Sequence, residues 1–247
     1  METIYVKESL APEIHKKATA LWEELAAESR KGRRWNVGYG QSRAGKLQFE
    51  FLRDIMVGWG VPAECIREEI VLPFPGYFLA ERRWDMGVFN GDRLIAALEF
   101  KYYTLQQKYQ QGRGSMLVND LAFKALDLQF AAREAGVDRS KIFIGALLQV
   151  FRPGQPEIGR FLRKTRHPRM YAWAHTKQEA IRKAVSRLVL SKLYNAAVSM
   201  EAHCPNGRDL SWWSFPEQSL EQFLYQLRNA VYPCCRPAPA ATPSTPS

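Results

Sequence analysis

The chain has 247 residues, of which 46% are hydrophobic and 12% aromatic, so it can bury a core and is not disordered throughout. No apolar run is long enough to cross a bilayer, and the N-terminus lacks the basic-then-apolar order of a secretory signal. Two isolated cysteines and one adjacent pair make neither a disulfide framework nor a CxxC zinc site. We therefore expect a soluble protein of the reducing cytoplasm, without a membrane partner.

The formal net charge of +10 is concentrated in one stretch of the chain. The window Arg152–Lys192 contains eleven Lys and Arg residues but only two acids, which gives it a net charge of +9. Such a stretch attracts a polyanion, because each Lys or Arg that meets a phosphate releases condensed counterions. A solvated basic face without a partner is the alternative interpretation. The densest cluster, our candidate for contact with a nucleic-acid backbone, consists of Arg160, Arg163, Lys164, Arg166 and Arg169.

Hydrophobic periodicity predicts an α/β chain whose central elements follow the order helix, three strands, helix, strand. The second and third strands, Arg83–Phe89 and Arg93–Tyr102, are joined at Asn90-Gly91-Asp92, and Asn-Gly between apolar runs is a strong hairpin signal. The other predicted elements of this part are the helices Ala11–Ser29, Lys46–Gly58 and one from Asn119 to before Gly136, and the strands Cys65–Leu72 and Ile142–Phe151.

The C-terminal part is predicted to be helical. A capping-box pattern at Thr176 opens a helix to about Glu201, and Pro216 suits the first position of a last helix. We expect Trp212-Trp213 to pack these helices on the core. The tail from residue 236 is too poor in apolar groups to fold.

Two charged residues interrupt the second strand of the predicted hairpin. Alternation along that strand places Glu99 and Lys101 on one face, together with Ile95 and Ala97. Charged side chains on an otherwise apolar, central strand are costly to bury unless they are paired or ligate a metal. This cost is the physical reason to look for a functional site here.

The residue types suit metal-dependent hydrolysis of phosphodiesters. Asp85 and Glu99 supply carboxylate oxygens for Mg²⁺, and the backbone carbonyl of Phe100 is a further candidate ligand. Lys101, on the same face as Glu99, can orient the attacking water and lower its pKa. The alternative interpretation is that Glu99 and Lys101 form a neutralising pair while Asp85 caps a turn, since a spaced D…ExK often arises by chance.

The register of the hairpin tests this hypothesis. A strict two-residue Asn-Gly turn would place Asp85 opposite Ala96, on the face away from Glu99. One added residue, in the loop or as a bulge, would place Asp85 opposite Ala97 and bring both carboxylates to one face. The hypothesis therefore requires a three-residue loop or a bulge.

The element order, with Asp85 and Glu99-Phe100-Lys101, resembles the PD-(D/E)xK nuclease superfamily. Within it, four stretches between about residues 71 and 151 resemble the XhoI family of type II restriction endonucleases: LPFPGYF, RRWDMGVF, LIAALEFK and LDLQFAARE. Trp84 replaces the proline of the superfamily motif, which leaves the metal chemistry untouched. The stretch YYTLQQKYQQGRGS after Lys101 differs from the Ser/Gly/Asn-rich segment that such enzymes tend to have.

The resemblance implies Mg²⁺-dependent cleavage of double-stranded DNA at a short palindromic site, with CTCGAG as the candidate sequence and with 5′-phosphate and 3′-hydroxyl ends. Asp85 and Glu99 would be metal ligands and Lys101 the catalytic lysine, and Glu50 matches a helix position from which some members add an acid. A palindrome would be matched by a two-fold symmetric homodimer. The family also implies a cognate DNA methyltransferase in the same prokaryotic cytoplasm.

We accordingly predict a restriction-endonuclease-like α/β fold, a mixed central sheet flanked by helices, with a helical C-terminal extension. A single endonuclease domain would cover residues 1–235, with its catalytic core at about 46–151. The basic and helical extension at about 152–235 would bind DNA or form the dimer, and residues 236–247 would be a disordered tail.

Two further stretches are candidates for DNA contact. Residues 40–46 fit GxxxxGK but lack the following Ser or Thr, so we interpret Arg43 and Lys46 as phosphate contacts near a helix N-terminus. The segment Tyr102–Arg113 mixes tyrosines with Gln, Lys and Arg, and Gln and Arg can read adenine and guanine edges. A polar surface segment is the alternative. Its candidate readers are Gln106, Gln107, Lys108 and Arg113.

Two rival functions remain open. A nuclease of the same superfamily with a repair or recombination role would recognise DNA structure in place of sequence, and it would not cut linear duplex into discrete bands. A non-catalytic DNA-binding module would grip DNA with its basic window while Asp85, Glu99 and Lys101 form an inert ion pair. In that case Glu99→Ala would leave function unchanged.

Overall fold

The computed structural model describes residues 12–30, 43–104, 113–153, 185–204, 209–215 and 219–235. In this part of the chain, a mixed sheet is flanked by helices on both faces, which confirms the predicted fold class. Its helices and strands are α1 (Pro12–Arg30), α2 (Arg43–Gly58), β1 (Ile66–Val71), β2 (Arg83–Asn90), β3 (Arg93–Thr104), α3 (Arg113–Glu134), β4 (Phe143–Pro153), β5 (Ala196–Cys204), β6 (Ser211–Ser214) and α4 (Leu220–Val231). Residues 185–190 are also helical.

The six described strands lie across the sheet in chain order. β1, β2 and β3 pair antiparallel, β3, β4 and β5 pair parallel, and β5 and β6 pair antiparallel. Parallel neighbours need a crossover connection, and α3 supplies it between β3 and β4. The charged residues of β3 therefore lie in the middle of the sheet, where a strand is covered on both faces.

Each face of the sheet has its own apolar core. On one face α1, α2 and α4 bury side chains such as Trp22 and Phe223. On the other face α3 buries Leu121 and Leu128 against the sheet. The buried Tyr194 hydroxyl donates to the Leu121 carbonyl oxygen at 2.9 Å, which ties α3 to the segment before β5. No helix among the described residues is long and apolar enough to cross a membrane.

Prediction and structure differ most in the C-terminal part. The predicted helix from Thr176 to Glu201 is wrong at its end, because Ala196–Cys204 forms β5 and pairs along its length with β4. A parallel strand covered on both faces has no alternating pattern, and its Ala and Met residues favour helix when taken alone. Pairing within the sheet overrides that preference. The first part of the predicted helix lies in residues 154–184, outside the described residues.

The two tryptophans before α4 also have a different setting from the predicted one. Trp212 lies on β6, where its indole N–H donates to Thr19 Oγ1 of α1 at 2.9 Å and its ring stacks on His15. α4 begins at Leu220, later than the predicted start at Pro216. The predicted extension is therefore not purely helical, because β5 and β6 complete the central sheet.

α3 begins at Arg113, six residues before the predicted start at Asn119. Residues 113–118 contain no proline, so the helical hydrogen bonds continue through them and the capping preference of Asn119 is not used. The chain therefore passes from β3 to α3 by a shorter connection than predicted.

Candidate active site

β2 and β3 form the predicted hairpin around a tight turn. Asn90 pairs with Arg93, so Gly91 and Asp92 lie at the tip of the hairpin. Gly91 has a φ of 61°, in the left-handed region that glycine adopts without strain. The turn is thus a two-residue turn, displaced by one residue from the predicted Asn-Gly position.

A bulge follows this turn. Phe89 pairs with Leu94 but Val88 pairs with Ala96, which leaves Ile95 as an extra residue on β3. The predicted alternative of a bulge is confirmed. The same irregularity explains why Ile95 packs in the core with α1 and α2, on the face opposite to the predicted one.

The bulge brings the two carboxylates to one face of the hairpin. Met86 pairs with Leu98, the ladder pair nearest to Asp85, and the Phe100 N–H donates to the Asp85 carboxylate. The predicted pairing of Asp85 with Ala97 is wrong, because Ala97 pairs with Gly87. Asp85 and Glu99 each lie two residues from the Gly87–Ala97 pair, so alternation from that pair places both carboxylates on one face.

Glu99 is fully buried and holds two lysines. Lys101 Nζ lies 2.5 Å from Glu99 Oε1, and Lys124 Nζ of α3 lies 2.7 Å from Glu99 Oε2. Lys101 Nζ also lies 2.9 Å from Asp120 Oδ2, again on α3. Because a buried carboxylate needs compensation, these contacts explain how Glu99 is tolerated at the centre of the sheet.

Among the described residues Asp85 forms no salt bridge with a lysine, and its carboxylate is held by a backbone group. The Phe100 N–H donates to Asp85 Oδ2 at 2.6 Å, which fixes the β2 carboxylate beside the residue that follows Glu99. Burial, followed by the negative charge of Glu99, raises the pKa of Asp85 to about 7. Lys124, the Phe100 N–H and Lys101 act in the opposite direction but do not cancel this effect.

Lys101 and Asp120 contact each other, and the contact shifts the pKa of each group so that both stay charged. Burial alone would lower the pKa of Lys101, but the charges of Glu99 and Asp120 outweigh it and raise that pKa above its ordinary value. Burial alone would raise the pKa of Asp120, but Lys101 outweighs it and lowers that pKa. Lys101 is therefore an ammonium group at neutral pH, held between two carboxylates.

The donor atoms at this position fit a hard divalent cation. Asp85 and Glu99 offer carboxylate oxygens close together, and the raised pKa of Asp85 reflects burial first and the like charge of Glu99 second, both of which a bound cation would offset. The structure does not bring Glu50 to them, because α2 packs on the opposite face of the sheet. In the described ranges there is no group of three or more His, Cys, Asp or Glu side chains that could hold a metal ion. Asp85 and Glu99 are thus the carboxylates that the structure brings together here, and the role of the Phe100 carbonyl as a ligand stays a prediction.

Two members of the site, Asp120 and Lys124, were not predicted from the sequence. They lie four residues apart on α3 and so share a face of the helix. The available signal was their position beside the apolar stripe of the predicted helix, which contains Leu121 and Ala125. Charged residues at the border of a buried helix face indicate a partner on the element beneath.

α3 also fixes the loop before β2. The buried carboxylate of Asp127 accepts the Phe78 N–H at 2.6 Å, and Arg82 Nε lies 3.4 Å from its Oδ2. A Cβ on Gly76 would lie 2.0 Å from the Leu79 carbonyl oxygen. The hydrogen bond from Phe78 to Asp127 is why the stretches LPFPGYF and LDLQFAARE, distant in sequence, adjoin one another.

Most of the candidate DNA-binding residues lie outside the described part of the chain. Arg43 and Lys46 are exposed on the first turn of α2, and Arg43 Nη2 lies 3.5 Å from Glu24 Oε2. Arg113 is the first residue of α3. The other candidates lie outside the described residues: Gln106, Gln107, Lys108, Arg160, Arg163, Lys164, Arg166 and Arg169.

Comparison with known proteins identifies a family. The family described as restriction endonuclease XhoI matches residues 23–211, more than half of the chain. The match includes Asp85, Glu99 and Lys101, together with strands β2 and β3 and helix α3, which carry and cover the site. Comparisons with curated proteins and with solved structures find no match. The chain therefore belongs to the restriction endonuclease XhoI family.

Proposed function

We propose that this chain is a type II restriction endonuclease that hydrolyses double-stranded DNA at a short palindromic site with Mg²⁺. The observation that carries the proposal is the position of the buried Asp85 carboxylate, held by the Phe100 N–H close to the charge of Glu99, with Lys101 on the Glu99 carboxylate. A purely structural ion pair would not require a further carboxylate to be buried beside it. Burial of Asp85 destabilises the folded protein, and binding of a metal ion would explain why an acid lies there.

Each residue of the site has a role in phosphodiester hydrolysis. Asp85, Glu99 and the Phe100 carbonyl would hold Mg²⁺, which when bound supplies positive charge to the scissile phosphate and acidifies water. Lys101 acts as a hydrogen-bond donor that orients the attacking water and stabilises negative charge on it. Because the pKa of Lys101 is raised, the lysine does not act as the general base. Cleavage of the bond to the 3′ oxygen leaves 5′-phosphate and 3′-hydroxyl ends.

The proposal extends to the assembly and its substrate. A homodimer would place one active site on each strand of a palindrome, and CTCGAG is the candidate sequence. The basic window Arg152–Lys192 would hold the DNA backbone, with Arg43, Lys46 and the 106–113 segment as further contacts. Residues 1–235 would act as one domain. A DNA methyltransferase of matching specificity would protect the host genome in the same prokaryotic cytoplasm.

The test is to incubate the purified protein with phage lambda DNA and Mg²⁺. Parallel reactions contain EDTA, the Asp85→Ala variant, or an Asp92→Ala variant that removes an exposed acid at the hairpin tip as a matched control. We expect discrete fragments from the wild type and from Asp92→Ala, and intact DNA in the other two reactions. Sequencing the fragment ends then gives the target and the cut position.

Other results would favour the rival functions. A smear that disappears with EDTA and with Asp85→Ala would indicate a nuclease without sequence specificity. Intact DNA that the wild type still retards on a gel would indicate a DNA-binding module. Fragments that persist in the Asp85→Ala reaction would place the chemistry outside this hairpin.

A further inference from the structure

The two lysines that contact Glu99 differ in how firmly they are held. Lys124 Nζ contacts Glu99 Oε2 at 2.7 Å and has no second carboxylate among the described residues. Lys101, in contrast, lies between two carboxylates, Glu99 and Asp120. The Lys124 ammonium also lies 6.0 Å from the centre of the Trp84 ring, a second place where a cation is stabilised. Of the two lysines on Glu99, Lys124 is therefore the one that can leave.

Both oxygens of Glu99 are taken by lysines. A cation that binds between Asp85 and Glu99 needs one of these oxygens, and it also repels a nearby ammonium group. We propose that Lys124 is an internal counter-cation, which neutralises Glu99 before metal binding and yields Glu99 Oε2 to the metal ion. Asp120 is the positioning residue that keeps Lys101 in place during this exchange.

This inference rests on the proposed function, because it concerns the same metal site. It makes a prediction that a merely structural role for Lys124 does not make. If Lys124 stayed on Glu99 Oε2 when the metal binds, its exposure to solvent would not change on metal binding. If Lys124 competes with the metal, its removal must strengthen metal binding.

The first test is calorimetric titration with Ca²⁺, which binds oxygen ligands like those of Mg²⁺. We expect Lys124→Met to bind Ca²⁺ on the order of tenfold more tightly than the wild type, the effect of removing one charge from a partly buried site. Lys124→Arg keeps the charge and should bind like the wild type. Lys141→Met removes an exposed lysine that pairs with Asp138 and serves as the matched control. Equal or weaker Ca²⁺ binding by Lys124→Met overturns the inference.

The second test uses the wild type, so it does not depend on any variant folding. Brief treatment with acetic anhydride, followed by peptide mass spectrometry, measures how accessible each lysine is. Lys124, whose side chain is only 14% exposed, should become several-fold more reactive when Ca²⁺ is added. Lys101 should stay protected, because Asp120 retains it. A rise at Lys101 instead, or at neither lysine, contradicts the proposed exchange.

The role of Asp120 is tested by kinetics. Asp120→Asn should leave Ca²⁺ affinity and KM within about twofold of the wild type but lower kcat by on the order of tenfold or more, because the lysine is misplaced only in the reaction. Asp120→Glu should restore part of kcat. Asp138→Asn, which also removes the carboxylate partner of an exposed lysine, is the matched control. Parallel decreases in Ca²⁺ affinity and kcat would assign Asp120 to the metal site itself.

The outcomes also separate this inference from the proposed function. A wild type that neither binds Ca²⁺ nor cuts DNA overturns both. A wild type that cuts DNA, with a Lys124→Met variant that binds Ca²⁺ no more tightly, overturns the inference alone.

Discussion

Asp85 destabilises the fold when it is ionised and no cation is bound. Its pKa is about 7 in the folded protein, whereas an aspartate in an unfolded chain has a pKa of about 3.9. Between these values the folded state binds the extra proton, so the stability from this group is fully present below the unfolded pKa. That stability is lost as the pH rises toward 7. At pH 8 the carboxylate is ionised in both states, and burial without a cation is at its most costly.

We therefore expect Asp85→Asn to raise the free energy of unfolding in EDTA at pH 8 by a few kcal/mol, about 1.4 kcal/mol for each pKa unit removed. The asparagine oxygen can still accept the Phe100 N–H, so the hairpin is kept. Below pH 4 the two proteins should be almost equally stable. Urea unfolding in EDTA at a series of pH values measures the difference. A variant no more stable than the wild type at pH 8 would contradict the raised pKa.

Lys101 is the residue for which binding and catalysis should separate. Lys101→Met is expected to lower the single-turnover cleavage rate by about 10²- to 10³-fold, the usual effect of removing one hydrogen-bond donor that stabilises charge in the transition state. DNA affinity in Ca²⁺ should change little, because the charge of the Lys101 ammonium is already neutralised by Glu99 and Asp120. Single-turnover kinetics and gel retardation measure the two quantities, with Lys141→Met as control. An unchanged rate would mean that Lys101 only neutralises the charge of Glu99 and takes no part in cleavage.

At the scale of elements, α3 organises the site from outside the sheet. One of its faces presents Asp120 and Lys124 to β3, and the next turn presents Asp127 to the loop before β2. Asp127 thereby holds Phe78, which lies in the loop before β2, the strand that contains Asp85. A change in how α3 packs on the sheet should therefore also change the positions of the Asp85 and Glu99 carboxylates.

This connection predicts a specific weak point at Gly76. A Cβ there would overlap the Leu79 carbonyl oxygen and approach Asp127, so Gly76→Ala should destabilise the protein by about 1–3 kcal/mol, as overpacking does. Gly58→Ala, where no heavy atom lies within 4 Å of the added Cβ, is the control and should be neutral or slightly stabilising. Thermal unfolding of both variants gives the comparison. Equal midpoints would mean that the loop adjusts freely and does not support the site.

The elements around the site were predictable because their signals are local. Alternation identified β3, and the need to bring Asp85 and Glu99 to one face required the bulge that Ile95 provides. β5 was not predictable, because a strand buried on both faces is recognised by its pairing with β4 and not by its own pattern. Lys124 was missed for a related reason, since only the packing of α3 on β3 shows that Glu99 is its partner.

At the scale of the whole molecule, charge and chemistry are separated along the chain. The site consists of two acids on the central hairpin balanced by lysines, whereas most of the net positive charge lies in Arg152–Lys192. Under the proposed function, a molecule arranged in this way would attract DNA through one part and cut it with another. DNA affinity and its dependence on salt should therefore follow the window, and cleavage should follow the hairpin.

The triple variant Arg163→Gln, Lys164→Gln and Arg166→Gln tests this separation. Removing one ionic interaction with a phosphate should reduce the slope of log K against log salt by about 0.9, so the slope should fall by up to about 2.7 for all three. A control with the same change in charge, Arg53→Gln, Arg93→Gln and Arg133→Gln, removes exposed arginines outside the window. Fluorescence anisotropy with a labelled duplex in Ca²⁺, from 50 to 200 mM salt (about the range over which such interactions are felt), measures both slopes. If the slope falls equally in the two variants, net charge alone attracts the DNA and the window has no special role. If the slope falls only in the first variant, and its cleavage rate at saturating enzyme equals that of the wild type, the window binds the backbone and leaves the chemistry to the hairpin.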